Sequence, residues 1–298
     1  MKYAWIQRHR REYAVSMMCE VLEVSASGYH ERMKRQPSAH PSRISNDALL
    51  TMIKAIHAQF RQEYGWPRMW RELINRGIRV GKQRVQRLMQ LHGIKARTKR
   101  KFKVTTDSKH SLPIAENLLK RDFWPDAPNR AWSSDITYIW TDEGWLFVVV
   151  YLDLFSRQVV GWSIKPHMRA DLVVDALRMA WFRRRPEPGL IVHTDRGSQY
   201  CGHDFQATLK AYGMKSSMSA KGDCWDNAPT ESFWSRLKAA RIHGRRMATR
   251  EYARTEVLEW IAFYNAHRLH SSLDYVSPMQ YERNWVQQLA VGAAKQAS

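Results

Sequence analysis

The stretch of residues 132–140, WSSDITYIW, constrains the fold most. It has the composition of a buried β-strand, yet it carries one carboxylate, Asp135, among Trp132, Ile136 and Ile139. Burying an unpaired carboxylate costs several kcal/mol, so Asp135 requires a partner, a proton or a cation. The sequence therefore predicts a functional acid inside a strand.

Two further acids follow at positions that point to the same site. The apolar run of residues 190–192 is followed at once by His193, Thr194 and Asp195, which predicts a strand that ends in a polar loop. Glu231 lies in a helical segment. The preceding residues Asn227, Ala228 and Pro229 predict a capped helix start with proline in the first turn.

Three converging carboxylates would repel one another and raise each other's pKa unless a divalent cation neutralised them. Carboxylate oxygens are ligands that suit Mg²⁺ or Mn²⁺. Taken singly, two of these acids have ordinary alternatives: Asp135 could be a buried acid paired with an arginine, and Asp195 could pair with Arg196 or cap a turn.

Five ordered motifs carry a resemblance to a known family: DIT after a tryptophan, YLDLFSR at 151–157, HTDRGSQY at 193–200, DNAPTESFWSRLK at 226–238 and YNAHRLHSSLDYVSP at 264–278. Together they resemble the DDE transposases of bacterial insertion sequences, in the group whose enzyme is read from two overlapping frames. The chain is similar to the second-frame product, whose catalytic core resembles that of retroviral integrases.

The resemblance implies an α/β fold with a ribonuclease H-like mixed five-stranded sheet and flanking helices, preceded by a basic all-α helix-turn-helix region. It implies Asp135, Asp195 and Glu231 as catalytic, metal-binding residues that hold two Mg²⁺ or Mn²⁺ ions for phosphoryl transfer. The implied activity is DNA strand cleavage and strand transfer at the element's ends. Lys238 is expected to contact DNA near the scissile phosphate, with a solvated lysine as the alternative.

The charge of the chain points to DNA independently. The formal net charge is +20, and residues 1–110 carry 24 Lys and Arg against 8 Asp and Glu, whereas the rest carries 24 against 20. A basic front attached to a nearly balanced core is typical of a nucleic-acid-binding protein. A diffuse charge that only aids solubility is the other interpretation.

Helical patterns fill this basic front. Val15, Met18, Val21 and Leu22 have helical spacing, and a later helix is expected to turn Val85, Leu88, Met89 and Leu91 inward. Arg84 and Arg87 would then face DNA or solvent. The following basic segment adds candidate DNA contacts at Arg97, Lys99, Arg100, Lys101 and Lys103.

These patterns predict five regions: a helix-turn-helix-like segment at 1–40, a basic helical DNA-binding domain at 46–103, a linker at 104–128, an integrase-like core at 129–285 and a tail at 286–298. A short helix is expected around Ile114, Leu118 and Leu119 within the linker. In the core, three strands in an antiparallel meander should precede a helix that crosses to the strand before Asp195, parallel to the first.

Three cysteines without CxxC spacing, no apolar run long enough to span a bilayer and no signal-peptide pattern predict a cytoplasmic, nucleoid-associated protein with no membrane partner. The expected partners are double-stranded DNA, the first-frame product or a fusion to it, and further copies of the chain on DNA. Two other functions remain open: a DNA-binding regulator with an inactive nuclease-like core, and a ribonuclease acting on RNA–DNA hybrids, which the basic front disfavours.

Overall fold

The structure is a computed structural model that describes residues 2–34, 44–97, 112–220 and 224–296. The chain forms two compact units, residues 1–52 and 53–298. No helix within these described ranges combines the length and the hydrophobicity needed to cross a membrane.

The first unit contains three short helices: α1 (Lys2–His9), α2 (Val15–Val21) and α3 (Ala26–Lys34). Ile6, Met18, Cys19 and Tyr29 form its buried core. Val15, Met18 and Val21, which have helical spacing, all lie in α2, and its last residue, Val21, is 76% exposed.

Three further helices follow: α4 (Asn46–Gln59), α5 (Trp66–Asn75) and α6 (Lys82–Leu91). In α6, Val85, Leu88 and Met89 are buried as predicted. The prediction for Leu91 is wrong, since α6 ends there and its side chain is 67% exposed.

The expected helix around Ile114, Leu118 and Leu119 is absent, and residues 113–118 have no regular secondary structure. The backbone N–H groups of Leu118 and Leu119 donate to Ser217 Oγ, at 2.9 and 3.3 Å, instead of to a helical turn. This segment therefore lies along the sheet, because a strand side chain satisfies its backbone groups.

The core of the second unit is a five-stranded sheet formed by β1 (Ala131–Thr141), β2 (Gly144–Asp153), β3 (Val159–Lys165), β4 (Ile191–Thr194) and β5 (Lys215–Met218). The strand order is β3-β2-β1-β4-β5. β1 and β2, and β2 and β3, pair antiparallel, whereas β4 is parallel to both β1 and β5. This topology confirms the predicted ribonuclease H-like order.

Helices cover both faces of the sheet. α7 (Ala170–Arg184), α8 (Ser198–Cys201) and α9 (His203–Ala211) pack on one face, and α10 (Ala228–Leu237) and α11 (Arg250–Ala266) pack on the other. In β2, Val149 and Tyr151 point to the first face and Val148 and Val150 to the second. A strand buried on both faces explains the continuous apolar run VVVYL.

The last helix, α12, runs from Pro278 to Gln296. It packs through Tyr281 and Trp285 on Phe155, and Arg184 forms an ion pair with Glu282 at 2.5 Å. The predicted division between a core ending at residue 285 and a separate tail at 286–298 thus falls inside one helix.

Candidate active site

Two of the three acids lie at the same level of the sheet because of strand register. Ser133 of β1 pairs with His193 of β4, and the two strands are parallel. Asp135 follows Ser133 by two residues, and Asp195 follows His193 by two residues. Since side chains two residues apart share a face, parallel pairing brings Asp135 and Asp195 to one side of the sheet.

The electrostatics of Asp135 reflect this crowding. Burial raises the pKa of Asp135 well above its ordinary value, and the Asp195 carboxylate raises it further. Glu231 acts in the same direction more weakly, whereas Lys238 lowers the pKa. The structure therefore brings all three predicted acids into one electrostatic group.

Glu231 lies at the outer edge of this group. Its side chain as a whole is exposed, but partial burial of the carboxyl group raises the pKa of Glu231. Among the residues that the structure describes, no three His, Cys, Asp or Glu side chains are gathered closely enough to hold an ion. Asp135, Asp195 and Glu231 thus interact electrostatically, but the described side chains do not form a compact three-ligand cluster.

The start of α10 is fastened to β1 by polar side chains. Ser133 Oγ donates to Asn227 Oδ1 at 2.6 Å and also contacts Thr230 Oγ1. Asn227 Nδ2 donates to the Ser134 carbonyl at 3.3 Å. Ser133 lies two residues before Asp135, and Thr230 directly precedes Glu231. These bonds therefore set the position of the helix acid relative to the strand acid.

The predicted helix start is confirmed at Ala228, with proline in the first turn. Asn227 occupies the N-cap position, but its side chain makes no capping hydrogen bond. The amide is used instead to join the helix to β1.

The loop after β4 holds Asp195 through a local turn. The backbone N–H of Gly197 donates to Asp195 Oδ1 at 3.0 Å. A Cβ atom at Gly197 would lie 3.1 Å from the same oxygen. Below the acids, Tyr200 and Ser134 share a buried hydrogen bond of 2.9 Å between their hydroxyl groups.

Lys238 is buried, with 6% of its surface exposed, and begins a π-helical segment, Lys238–Ile242, that continues α10. Its Nζ atom lies 5.2 Å from the centre of the Tyr138 ring. Burial lowers the pKa of Lys238, and the nearby Asp135 charge opposes this effect. The structure thus places Lys238 beside the acids and not on an open surface.

A fourth acid, Asp153 at the end of β2, shows what a structural carboxylate looks like in this sheet. Asp153 Oδ1 accepts hydrogen bonds from the backbone of Phe155 and Ser156, and Oδ2 accepts one from the backbone of Asn129. Phe155 and Ser156 lie in the turn between β2 and β3, and Asn129 precedes β1, so Asp153 joins the two segments. Asp135 is supported by a backbone hydrogen bond from Ile136, and the charges of Asp195 and Glu231 act against its ionisation while that of Lys238 favours it.

The predicted DNA contacts lie in different environments. Arg87 is exposed on α6 and Arg84 is half-buried there. Arg97 is exposed, but its Nη1 donates to the Ala240 carbonyl at 3.0 Å, so part of the guanidinium is used within the protein. Lys99, Arg100, Lys101 and Lys103 lie outside the described residues.

Sequence reasoning missed Ser133, Thr230 and Tyr200. The signal for Ser133 was present in the motif WSSD, where small hydroxyl residues precede the strand acid. Its partner lies 97 positions away, at Thr230. No local pattern reveals such a pairing.

Comparison with known families gives three matches along the chain. The HTH-like domain matches residues 45–102, and two models of the integrase core domain match residues 125–224 and 212–278.

Among solved structures, the chain is similar to one in the simian T-cell lymphotropic virus intasome in complex with PP2A regulatory subunit B56 gamma. The TM-score is 0.46 at 14% identity, covering 78% of this chain and 74% of that one. It is also similar to the HTLV-2 integrase catalytic core domain in complex with magnesium, with a TM-score of 0.41 at 18% identity, covering 53% of this chain and 98% of that one.

Two relatives match over almost their whole length. The chain is 41% identical over 274 residues to the insertion element IS600 uncharacterized 31 kDa protein of Shigella sonnei, covering 92% of this chain and 100% of that protein. It is 42% identical over 283 residues to the transposase InsF for insertion sequence IS3A of Escherichia coli (strain K12), covering 95% of this chain and 98% of that protein. Because this identity extends over nearly the full length and residues 125–224 match the integrase core domain, the chain belongs to the DDE transposases of the IS3 family.

Proposed function

We propose that this chain catalyses divalent-metal-dependent cleavage and strand transfer of DNA at the ends of its insertion sequence. One observation carries the proposal: β1, the loop after the parallel strand β4, and α10 supply Asp135, Asp195 and Glu231, and the charges of the last two act on Asp135. Carboxylates that raise each other's pKa favour a divalent cation over the empty site.

Asp135 and Asp195 would hold Mg²⁺ or Mn²⁺ through their oxygen atoms, and Glu231 would complete the set by moving inward. When bound, a pair of such ions activates a water or a DNA 3′-hydroxyl and neutralises charge on the leaving oxygen. Lys238 stands beside Asp135, where its ammonium group is suited to contact the reacting phosphate. The hydrogen bonds of Ser133 with Asn227 and Thr230 would hold the start of α10, which carries Glu231, next to β1, which carries Asp135.

DNA would be recognised by the basic region before the core. We assign DNA binding to residues 46–103, with Arg84, Arg87 and the segment Arg97, Lys99, Arg100, Lys101 and Lys103 as contacts, and catalysis to residues 129–285. We further propose that the chain works at the nucleoid as an oligomer on DNA. The first-frame product, or a fusion to it, would supply added recognition of the ends.

The test is a strand-cleavage and strand-joining assay on a labelled DNA end of the element, with and without Mg²⁺. Products that require Mg²⁺ or Mn²⁺ and vanish with a chelator support the proposal. If the chain binds the end specifically but yields no product, alone or together with the first-frame product, it is a regulator with an inactive core. A preference for RNA–DNA hybrids would instead indicate a ribonuclease.

Asn227→Ala tests the positioning of Glu231. Loss of the bonds to Ser133 and Ser134 should let α10 shift, and we expect cleavage to fall roughly tenfold to a hundredfold, as displacements near 1 Å do elsewhere. The Mg²⁺ concentration that gives half-maximal cleavage should rise at the same time. A general loss of stability would lower the amount of folded, active protein without changing that concentration. Asn284→Ala, on α12, is the matched control, and equal behaviour of the two variants would refute the role.

A further inference from the structure

A cavity lies beside α10, on the side of the helix away from Glu231. Its volume is about 350 Å³, and its lining includes Arg68, Arg157, Arg236, Trp124 and His270. We name it the arginine pocket after the three arginines. Arg236 follows Glu231 by five residues, and at about 100° per residue the two side chains leave α10 in nearly opposite directions.

The arginine pocket is strongly positive. No Asp or Glu is among its lining residues. Just behind it, Arg268 is 3% exposed, and burial followed by the charges of Arg68 and Arg236 lowers its pKa to about 9. Burial lowers the pKa of His270 to about 2, with Arg268 the next cause, so this histidine is neutral and the positive charge belongs to the arginines.

Several buried donors here are unused by the described residues. Arg157 is 7% exposed and donates from Nη2 to the Phe123 carbonyl at 2.9 Å, while its Nη1 has no partner in the ranges described. The same holds for Nε and Nη1 of Arg268 and for Nε2 of His270. Leaving charged donors buried and unpaired is costly, so these groups favour an acceptor from outside.

Nearby acids are engaged elsewhere. The charge of Asp153 raises the pKa of Arg157, but the Asp153 oxygens accept hydrogen bonds from the backbone N–H groups of Phe155 and Asn129. Glu63 Oε1 lies 3.2 Å from Nη2 of Arg241, and the Glu63 charge also raises the pKa of Arg268 and Arg68 without lining the pocket. Because neither acid lines the arginine pocket, its positive charge favours binding of an anion from outside the protein.

Guanidinium groups that converge on one cavity match the oxygen atoms of a phosphate. Beside them, Trp124 is 61% exposed, with the Arg157 guanidinium 4.4 Å from its ring centre. Arginines next to an exposed aromatic ring are the usual combination for holding one phosphate and stacking the adjacent base of a single strand.

We propose that the arginine pocket binds a phosphate group of an unpaired DNA strand, with the neighbouring base stacked on Trp124. The choice of DNA as the source of the phosphate rests on the proposed function. The arginine pocket would hold the strand beside the first turns of α10, on the opposite side of the helix from the reacting phosphate. Inorganic phosphate is the other source of the same chemistry.

The experiment measures binding of a short labelled single-stranded oligonucleotide to the full chain in a chelator, so that it does not depend on catalysis. Arg236→Gln should weaken binding at least about fivefold and reduce the slope of log affinity against log salt by about 0.7, the loss of one phosphate contact. Arg178→Gln, on α7 across the sheet, removes the same charge and should change neither quantity. Trp124→Ala should weaken binding at least about fivefold and Trp124→Phe should restore it.

A series of oligonucleotides with one neutral methylphosphonate at each position locates the contact. At one position, the methylphosphonate should weaken binding by the wild-type chain as much as Arg236→Gln does. The same oligonucleotide should bind the Arg236→Gln variant no more weakly than the unmodified strand does. Equal binding by the Arg236 and Arg178 variants would overturn the proposal. Competition by inorganic phosphate that Arg236→Gln abolishes, with oligonucleotide affinity unchanged, would overturn the assignment to DNA and leave a site for free phosphate.

Discussion

Asp135→Asn is expected to abolish strand cleavage, by at least about 10³-fold, and at the same time to make the protein more stable in the absence of metal. The activity is lost because an amide is a poor ligand for a hard divalent cation. The stability rises because the wild-type carboxylate must ionise in a half-buried place beside Asp195. The midpoint of thermal unfolding should therefore be higher for Asp135→Asn than for the wild type when metal is absent.

The pH dependence follows from the sign of the shift. The folded state holds the Asp135 proton more tightly than the unfolded state, so stability from this residue is present at low pH. It is lost as pH rises from the ordinary aspartate range through the raised pKa. Thermal unfolding against pH should show this decline in the wild-type chain and a smaller one in Asp135→Asn. Added Mg²⁺ should stabilise the wild type and leave the variant unchanged.

Asp153→Asn is the matched control, because burial also raises the pKa of this strand acid but its carboxylate, unlike that of Asp135, accepts several backbone hydrogen bonds. Its carboxylate accepts bonds from the backbone of Asn129, Phe155 and Ser156, and an amide nitrogen cannot replace one of those acceptors. We expect a loss of about 1–3 kcal/mol in stability, the cost of an unsatisfied buried donor. Destabilisation by Asp135→Asn as well would contradict the account of strained catalytic acids.

Gly161→Ala is expected to have the largest effect on folding. A Cβ atom at this position of β3 would lie 2.4 Å from the Ala176 carbonyl oxygen and 2.7 Å from Ala180 Cβ. Both contacts belong to α7, which packs directly on the strand, so the helix must move as a unit. Overpacking of this kind costs about 1–3 kcal/mol or more, and backbone contacts put Gly161 at the upper end.

Denaturant unfolding measures this loss. Gly292→Ala, inside α12, is the comparison, since nothing lies within 4 Å of the Cβ it would add. In a helix interior that change should stabilise by at most about 1 kcal/mol. If Gly161→Ala unfolded at the wild-type denaturant concentration, the close approach of α7 to β3 would be wrong.

The strands and the three acids could be predicted from the sequence because local patterns encode them. Asp135 stands out within an apolar run, and Asp195 follows one. Parallel pairing of their strands follows from the single crossover helix between β3 and β4. Topology and register then bring the two acids together without any further information.

What could not be predicted depends on contacts between distant residues. Gly161 has no special backbone angle, and only the packing of α7 explains it. Asn227 has the sequence signature of a helix cap, yet β1 offers its amide better partners. Lys238 looks like an exposed helix lysine, but widening of the helix to the π form and the nearby Asp135 place it inside.

The central claim is that Asp135, Asp195 and Glu231 bind divalent cations as one site. Anomalous scattering from crystals of the chain grown with Mn²⁺ tests it most directly. We expect two peaks, roughly 3.5 to 4 Å apart, contacted by all three carboxylates in the wild type and missing in Asp195→Asn. Mn²⁺ bound elsewhere, or bound equally by that variant, would contradict the claim.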